Sequence, residues 1–194
     1  MDRNEPVLRR LAAGELTLPL FSDFDRYQEV RQCWRKEQGK WVVKEIAFLE
    51  QWSETDYREL CQSLRDTLSG NGTVWGLFVQ EKLKGFCAVE GKLLGSRHQY
   101  ADLSQLYVSA DCRGHGFGRL LFQKAVETGK RHQAKALYIS AHSSVESQAF
   151  YHRMGCVEAE EADDRHVAAE PCDCQLEYRI VTESSQKEHE AGVC

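Results

Sequence analysis

The sequence has no long hydrophobic run. No segment of its 194 residues approaches the roughly 18 consecutive apolar residues that a membrane-spanning helix requires. The first 18 residues also lack the apolar core of a secretory signal peptide. We therefore expect a cytoplasmic protein without a membrane partner.

The sequence also lacks an excess of positive charge. Lysine and arginine together number 25 and aspartate and glutamate 30, so the formal net charge is -5. Such a chain has no overall basic field that would attract nucleic acid or anionic lipid. We expect no nucleic-acid partner, and any phosphate group must be bound by a local structure. The acidic balance mildly favours a small, cationic partner.

A regular cysteine framework is absent as well. The eight cysteines are scattered, and some lie in apolar runs such as residues 85–91, which is typical of reduced thiols in a core. Cys172 and Cys174 form a close pair with His166 nearby. A single intervening residue is poor spacing for a zinc knuckle, however, and no second pair exists. We therefore expect no metal site.

Hydrophobic periodicity divides the chain into strands and helices. The length favours one domain, which we assign to residues 1–181, and the polar, aperiodic segment 182–194 is interpreted as a frayed tail. The predicted strands are 16–21, 73–80, 85–91, 100–110, 135–142, 156–160 and 172–180, the predicted helices are 23–36, 55–68, 118–132 and 144–154, and residues 37–54 show no clear periodicity.

Local signals support some of these boundaries. Ser53 or Thr55 can cap the second helix, Ser143 and Glu146 form an S-x-x-E capping box, and Gly155 can end the last helix in a left-handed conformation. Residues 100–142 read as strand, turn, helix and strand, a crossover unit whose two strands run parallel. The sheet is therefore predicted to be mixed.

The segment 113–119 contains three glycines at alternate positions, between the end of a strand and the start of a helix. Glycine lets the backbone approach a phosphate with positive φ, and the helix N-terminus adds free N–H groups and partial positive charge. Arg113 and Arg119 add charge from their side chains. The segment is thus a candidate cradle for a pyrophosphate.

Two common phosphate-binding loops do not fit this segment. A Walker loop requires G-K-[ST], whereas Gly118 is followed by Arg119 and Leu120. A dinucleotide fingerprint requires G-x-G-x-x-G and an acidic residue at the end of the next strand, where this sequence has His142. Neither a nucleotide-dependent phosphoryl enzyme nor a dinucleotide enzyme is favoured.

The run Arg113-Gly114-His115-Gly116-Phe117-Gly118 matches [R/Q]-x-x-G-x-[G/A] and resembles the acyl-CoA pyrophosphate loop of the GNAT superfamily of N-acetyltransferases. Residues 106–122 are similar to that family's strand, loop and helix, and residues 143–156 to its later helix, which carries a tyrosine before a glycine. The resemblance covers about residues 16–181. It implies an α/β fold with a mixed, mostly antiparallel sheet of about seven strands, about four flanking helices, and a splayed parallel strand pair at the acyl-CoA site.

The resemblance also implies an activity. The expected reaction is direct transfer of an acetyl group from the co-substrate acetyl-CoA to a primary amine of a small molecule or peptide, through a tetrahedral intermediate. A homodimer is compatible with the sequence. The residues that the resemblance assigns to acetyl-CoA binding are Leu106, Tyr107, Val108, Arg113, Gly114, His115, Gly116, Phe117, Gly118, Arg119 and Ser144.

Two residues are candidates for proton transfer. An alkylammonium has a pKa near 10.4, so a base must remove a proton before the amine can attack. The resemblance points to Asp102 as that base or relay. The alternative for Asp102 is a solvent-facing strand residue or a structural salt bridge, and Glu45, Glu50 and Glu54 compete with it for the role of base. Tyr151 resembles the family tyrosine that protonates the leaving thiolate, and otherwise it is a core aromatic residue.

Some positions depart from the family pattern. Ser144 stands where many members carry Asn, and Cys156 follows Gly155 where Phe is usual. The aromatic side chains that fall in the region where the family binds its acceptor are Trp41, Phe48, Trp52 and Tyr57. The alternative function is a sensor or interaction module that binds acyl-CoA without transferring the acyl group.

Overall fold

The structure is a computed structural model that describes residues 5–181. Within that range the chain forms nine strands and four α-helices. In chain order they are β1 (Val7–Arg10), β2 (Gln28–Glu37), β3 (Lys40–Glu50), α1 (Glu54–Ser69), β4 (Thr73–Val79), β5 (Lys82–Val89), β6 (Tyr100–Val108), α2 (Phe117–Arg131), β7 (Ala136–Ala141), α3 (Val145–Met154), β8 (Val157–Glu158), α4 (Asp164–Ala169) and β9 (Cys174–Arg179).

A seven-stranded sheet with the order β1-β4-β5-β6-β7-β9-β8 forms the centre of the domain. Its neighbouring strands are antiparallel except for β6 and β7, which run parallel. The helix α2 makes the connection between these two, as a parallel pair requires. The predicted fold class is confirmed, including the mixed sheet and its parallel pair.

Helices cover both faces of this sheet. Along β5, Phe86 packs into a core cluster with the apolar side of α1, whereas the next residue, Cys87, packs into a cluster with α2. Successive side chains of a strand point to opposite faces, so α1 and α2 lie on opposite sides. Leu64 of α1 and Leu121 of α2 are fully buried there.

The parallel pair separates soon after it begins. β6 and β7 are paired only from Tyr100↔Ala136 to Asp102↔Tyr138. Beyond Asp102, β6 continues beside β5 and β7 continues beside β9. The register between β5 and β6 shifts between Ala88 and Val89, and a bulge of this kind bends a strand and re-aims its side chains. A wedge therefore opens between the carboxyl ends of β6 and β7.

The N-terminal third differs from its prediction. The predicted strand 16–21 is wrong, because short 3₁₀ turns at Ala13–Glu15 and Leu18–Phe21 take its place. Pro19 lies inside that segment and has no N–H with which to join a sheet. These turns pack under α1 instead, with Leu16 fully buried.

The predicted helix 23–36 is also wrong, and so is the irregular segment 37–54. Residues 28–50 instead form a separate two-stranded hairpin of β2 and β3. Its turn residues, Gln38 and Gly39, both have positive φ, as the tight turn of a hairpin requires. Helical spacing of the apolar residues in 23–36 was coincidental, because Val30 and Cys33 are buried by tertiary contacts of a strand.

The later elements follow the prediction more closely. Ser53 caps α1 and accepts a hydrogen bond from the Asp56 amide, and Gly155 ends α3 with a φ of 91°. The cap of α3 is Ser144 and not Ser143, because the Ser144 hydroxyl accepts from the Ser147 amide. The short helix α4 lies in a segment for which no element was predicted.

The predicted tail 182–194 lies outside the described residues. The seven cysteines within residues 5–181 are free thiols. Among the helices that the structure describes, none is long and apolar enough to cross a membrane.

Candidate active site

The glycine-rich segment lies where the sequence placed it, between β6 and α2. Gly114 and Gly116 have φ values of 80° and 81°, and a side-chain carbon added at either one would meet nothing within 4 Å. Left-handed backbone and open space together allow main-chain N–H groups to face a bound group. Because α2 begins at Phe117, the free amides of its first turn point to the same place.

A cleft of about 570 Å³ opens over this loop. The segment contributes Arg113 and Arg119 together with its three glycines and Phe117. Phe150 and Met154 of α3 form its apolar side. The Phe150 ring lies 3.0 Å from the position a side chain at Gly118 would take, so a larger residue there would require this ring to shift by a few tenths of an ångström. Cationic side chains, amides and an apolar wall suit a phosphorylated ligand with a hydrophobic arm.

His115 stands apart from the other loop residues. Its ring nitrogen Nδ1 lies 3.0 Å from the carbonyl oxygen of Arg113, and its side chain is exposed and does not line the cleft. Ser144 is fully buried and its hydroxyl is engaged with Ser147 at 2.9 Å as the cap of α3, so it does not line the cleft either. The roles predicted for these two residues in acetyl-CoA binding stay predictions.

A second cavity, of about 470 Å³, lies on the other side of the wedge. Its walls come from the start of β2, the end of β3, the splayed part of β6, the end of β7, α3, α4 and the residue before β9. The residues that line both this cavity and the cleft are Gln28, Leu106, Val108, Arg113, Ser147 and Tyr151. The two spaces therefore meet where β6 leaves β7.

The backbone of β6 is unpaired on the wedge side at this junction. Leu106, Tyr107 and Val108 pair with β5 on one edge only, because β7 has already turned away. An extended ligand arm can add to such an edge as an extra strand. Leu106 and Val108 also line both spaces, and the role in acetyl-CoA binding that the resemblance implies for them stays a prediction.

Tyr151 lies at the junction as well. Its side chain packs against the rings of Phe150 and Phe122, at centroid distances of 5.0 and 6.4 Å, and the residue is only 9% exposed. Burial raises the pKa of the Tyr151 hydroxyl well above its ordinary value. The hydroxyl is therefore protonated at neutral pH and can donate, and it makes no hydrogen bond to the described residues.

Asp102 lies deeper than a surface carboxylate. It is 5% exposed and does not line the cavity. Its Oδ2 is 2.8 Å from Nε2 of His166, which stands on α4 and does line the cavity. The hydrogen bond to Asp102 raises the pKa of His166, against the opposing effect of burial. The structure thus connects Asp102 to the cavity through an imidazole.

Three further carboxylates surround the cavity: Glu50, Glu170 and Asp173. Glu50 accepts from Arg26 at 2.5 Å and also lies 3.4 Å from Nε2 of His142. Burial raises the pKa of Asp173, whose carboxylate lies 3.3 Å from the Ser140 hydroxyl. Carboxylates outnumber the arginines that face the same space, Arg26 and Arg113, which suits a cationic ligand.

The other predicted candidates lie outside this cavity. Glu45 accepts a hydrogen bond from Gln32, and Glu54 pairs with Arg58 on the surface of α1. The aromatic residues Trp41, Phe48, Trp52 and Tyr57 do not line the cavity, but two of them pack against residues that do. Phe48 packs against His142, and Trp52 packs against Tyr107 and under Arg26.

Sequence reasoning missed several residues that do line the cavity. Arg26, Gln28, His166, Glu170 and Asp173 carry no motif, and all but Asp173, which lies in the predicted strand 172–180, come from segments whose structure was mispredicted or left without an element. The helix that carries His166 could have been predicted, since Asp163 is an N-cap residue and a short helix follows it. For the others, tertiary folding alone brings them together.

Comparison with known proteins identifies the family. Residues 23–156 match the model of the acetyltransferase (GNAT) family. No curated protein matches the sequence at a significant level. One similar solved structure is a putative streptothricin acetyltransferase from Bacillus anthracis in complex with acetyl coenzyme A, with a TM-score of 0.69 and 12% identity over 93% of this chain and 100% of that one. Nourseothricin acetyltransferase matches with a TM-score of 0.63 and 14% identity over 91% of this chain and 99% of that one. The PaiA N-acetyltransferase from Thermoplasma acidophilum in complex with coenzyme A matches with a TM-score of 0.55 and 16% identity over 90% of this chain and 99% of that one.

At these identities the structural likeness shows the fold, and the family match shows the relationship. It spans residues 23–156, well over half of the chain, and it includes the glycine-rich loop, the splayed strand β6 and Tyr151. The chain therefore belongs to the GNAT acetyltransferase family.

Proposed function

We propose that this chain transfers the acetyl group of acetyl-CoA directly to a primary amine of a small molecule or peptide. The single observation that carries the proposal is the junction of two spaces at Tyr151, Leu106 and Val108. One space has the cationic, glycine-lined character of a pyrophosphate site. The other has the acidic character of a site for an amine. An acetyl group at the junction could be held by acetyl-CoA bound in the cleft and attacked by an amine bound in the cavity.

The residues at the junction suit the chemistry. Attack of an amine on a thioester places negative charge on the carbonyl oxygen, and a backbone N–H on the unpaired edge of β6 near Val108 is proposed to donate to it. Tyr151 is proposed to protonate the departing thiolate. The buried carboxylate of Asp102 is proposed to favour removal of the proton from the amine.

The acceptor is proposed to be cationic. Glu50, Glu170 and Asp173 line its cavity. Two of the similar structures are named as acetyltransferases of streptothricin and nourseothricin. The acceptor panel should therefore include streptothricin, spermidine, lysine, glutamate and a short peptide. We further propose that the protein works in the cytoplasm, which the free thiols within residues 5–181 support.

The test has two parts, binding and turnover. Acetyl-CoA is titrated into the protein by calorimetry, and thiol release is then followed with each amine of the panel. We expect micromolar binding that weakens at least tenfold in Arg113→Ala and stays unchanged in Arg58→Ala, whose side chain lies on the far surface of α1. Thiol release should require an amine. Binding without turnover of any amine would instead indicate the acyl-CoA sensor, and no binding would contradict both functions.

A further inference from the structure

We infer that His166 takes the proton from the acceptor ammonium and that Asp102 acts through it, as a positioning residue that never meets the substrate. This inference rests on the proposed function and names the base of the same site. Three observations support it: a buried carboxylate, an imidazole in hydrogen-bond contact with that carboxylate, and the cavity that the imidazole lines. The sequence alone pointed to Asp102 as the base.

The contact between the two side chains is close and one-sided. Nε2 of His166 lies 2.8 Å from Oδ2 of Asp102, whose side chain is 7% exposed, while the His166 side chain is 26% exposed. The other carboxylate oxygen of Asp102 is buried and accepts no hydrogen bond from residues 5–181. The imidazole is thus the group that shields this carboxylate from the cavity. A buried carboxylate with one partner strongly favours an N–H on that partner.

The imidazole is held in place by its surroundings. The His166 ring packs against the Tyr138 ring at a centroid distance of 5.5 Å, and Tyr138 is fully buried. The Asp163 carboxylate accepts from the backbone amides of Arg165 and His166, which fixes the start of α4. The Tyr138 hydroxyl accepts in turn from the Asp163 amide at 2.9 Å. The ring orientation is therefore set by β6, β7 and the cap of α4 together.

This arrangement leaves Nδ1 of His166 available. With Nε2 donating to Asp102, the neutral ring carries its lone pair on Nδ1, which makes no hydrogen bond within the described part of the chain. Carboxylate, imidazole and reacting group in this order resemble the way a catalytic triad orients its histidine. His166 and Tyr151 line the same cavity, so one can take a proton on the amine side while the other gives one on the sulfur side.

The second histidine of the cavity provides a contrast. Nδ1 of His142 accepts from the Ser144 amide at 3.1 Å, and its Nε2 faces Glu50 at 3.4 Å. Both of its nitrogens are occupied. Glu50 is similarly engaged by Arg26. His166 is thus the titratable group of the cavity wall that combines a fixed partner on one side with an open acceptor on the other.

The charges around His166 favour its role as a base. Asp102 from β6 and Asp163 at the cap of α4 raise its pKa, and burial and Arg165 lower it, with a net increase above 6.5. Tyr138 faces the ring from β7, and the charged or titratable groups on the cavity side are Glu50, Glu170, Asp173, His142, Arg26 and Arg113. A base whose pKa lies near the working pH is efficient because it is partly neutral and still accepts protons readily.

The proton steps balance as follows. The acceptor enters as an ammonium, one N–H bond breaks, and the proton moves to Nδ1 of His166. The freed electron pair forms the C–N bond to the thioester carbonyl, and the C–S bond then breaks with its electron pair passing to sulfur. The thiolate takes the proton of Tyr151, which recovers one from the new amide nitrogen. His166 finally releases its proton to solvent, so the net products are the amide, free CoA and one proton.

The pairing is tested first without turnover. In protein labelled with ¹³C-histidine, the pH titration of the His166 imidazole is followed by NMR in the wild type and in Asp102→Asn. We expect a midpoint above 6.5 in the wild type and a lower midpoint in the variant, because the amide removes the negative charge. An unchanged midpoint would overturn the pairing. This readout is independent of any acceptor.

Kinetics test the proton-transfer role. The probe is whichever of spermidine, streptothricin, lysine or glutamate the wild type acetylates fastest. We expect His166→Gln to lower kcat/KM for the amine by about 100-fold with acetyl-CoA affinity unchanged, and to abolish the decline in rate at low pH. Asp102→Asn should lower the rate less and move that decline to lower pH. The matched control, His152→Gln, changes an exposed histidine of α3 and should behave as the wild type.

A structural role is separated by chemical rescue. Added imidazole should restore part of the rate of His166→Ala, which it would not do if the side chain only stabilised α4. A rate for His166→Gln within threefold of the wild type, with an unchanged pH profile, would overturn the inference. The inference would also be overturned if imidazole failed to rescue His166→Ala and the rate of His166→Gln still declined at low pH as in the wild type. If no amine of the panel is acetylated at all, the proposed function fails, whereas the NMR midpoint still decides the pairing.

Discussion

The cleft over the glycine-rich loop and the cavity on the other side of the wedge are built in different ways. Most of the cleft comes from one continuous stretch, the end of β6, the loop and the start of α2, with α3 as its wall and Gln28 and Glu29 of β2 beside it. Backbone amides and glycines with positive φ give it its character. The cavity takes its side chains from β2, β3, β6, β7, α3, α4 and the segments that flank them. A site of backbone groups can be recognised in a sequence, whereas a site of scattered side chains depends on the fold.

Tyr151→Phe should have the largest effect, because Tyr151 belongs to both sites. Loss of the hydroxyl removes the proposed acid and leaves the ring packing with Phe150 intact. We expect kcat to fall about 100-fold while the affinities for acetyl-CoA and amine stay within twofold. Steady-state kinetics and calorimetry measure the two. A loss of affinity equal to the loss of rate would show that Tyr151 binds and does not act in catalysis.

Gly116→Ala should weaken the cleft and leave the cavity intact. Gly116 has a φ of 81°, where a side-chain carbon costs about 1–2 kcal/mol. We expect acetyl-CoA affinity to fall about 5- to 30-fold, with KM for the amine unchanged. The matched control is Gly14→Ala, since Gly14 also has open space around it but no positive φ. Equal effects of the two substitutions on acetyl-CoA affinity would contradict a specific role of the loop backbone in binding.

Asp173→Asn should weaken the cavity and leave the cleft intact. Loss of one negative charge is expected to raise KM for a cationic amine about 5-fold with little change in acetyl-CoA binding. Burial raises the pKa of this carboxyl, so its charge is lost on acidification at a higher pH than that of an ordinary Asp, near 3.9. As the pH is lowered, the KM of the wild type for the amine should therefore begin to rise at a higher pH than it would if this carboxyl had an ordinary pKa. Asp164→Asn, on the exposed side of α4, is the control.

The smallest effect concerns stability and not rate. The pKa of His166 is raised in the folded protein, so its pairing with Asp102 stabilises the fold fully below the unfolded value near 6.5. That contribution is lost as the pH rises through the folded value. Thermal unfolding at pH 6 and pH 8.5 should show a larger loss of Tm with pH in the wild type than in Asp102→Asn. The same pH dependence in both would separate His166 from Asp102.

The contrast between the two sites also explains what could be predicted from the sequence. The loop, the parallel pair, α2 and Tyr151 lie in residues 100–156, where short-range signals such as glycines and a strand-helix-strand order agree with the fold. β2 was mispredicted as part of a helix because its apolar residues happen to fall at helical spacing, and β3 showed no clear periodicity; contacts distant in sequence decide such cases. His166 escaped notice as a site residue because its partner Asp102 is 64 positions away. No local pattern records that contact.

The central claim is that acetyl-CoA and an amine react at the junction of the cleft and the cavity. The most direct measurement follows a mixture of protein, acetyl-CoA and each amine of the panel by mass spectrometry, with free thiol quantified in the same samples. The account predicts one N-acetylated amine formed for each thiol released, with both slowed together in Tyr151→Phe. Acetyl-CoA binding that gives neither product with any cationic amine would contradict it.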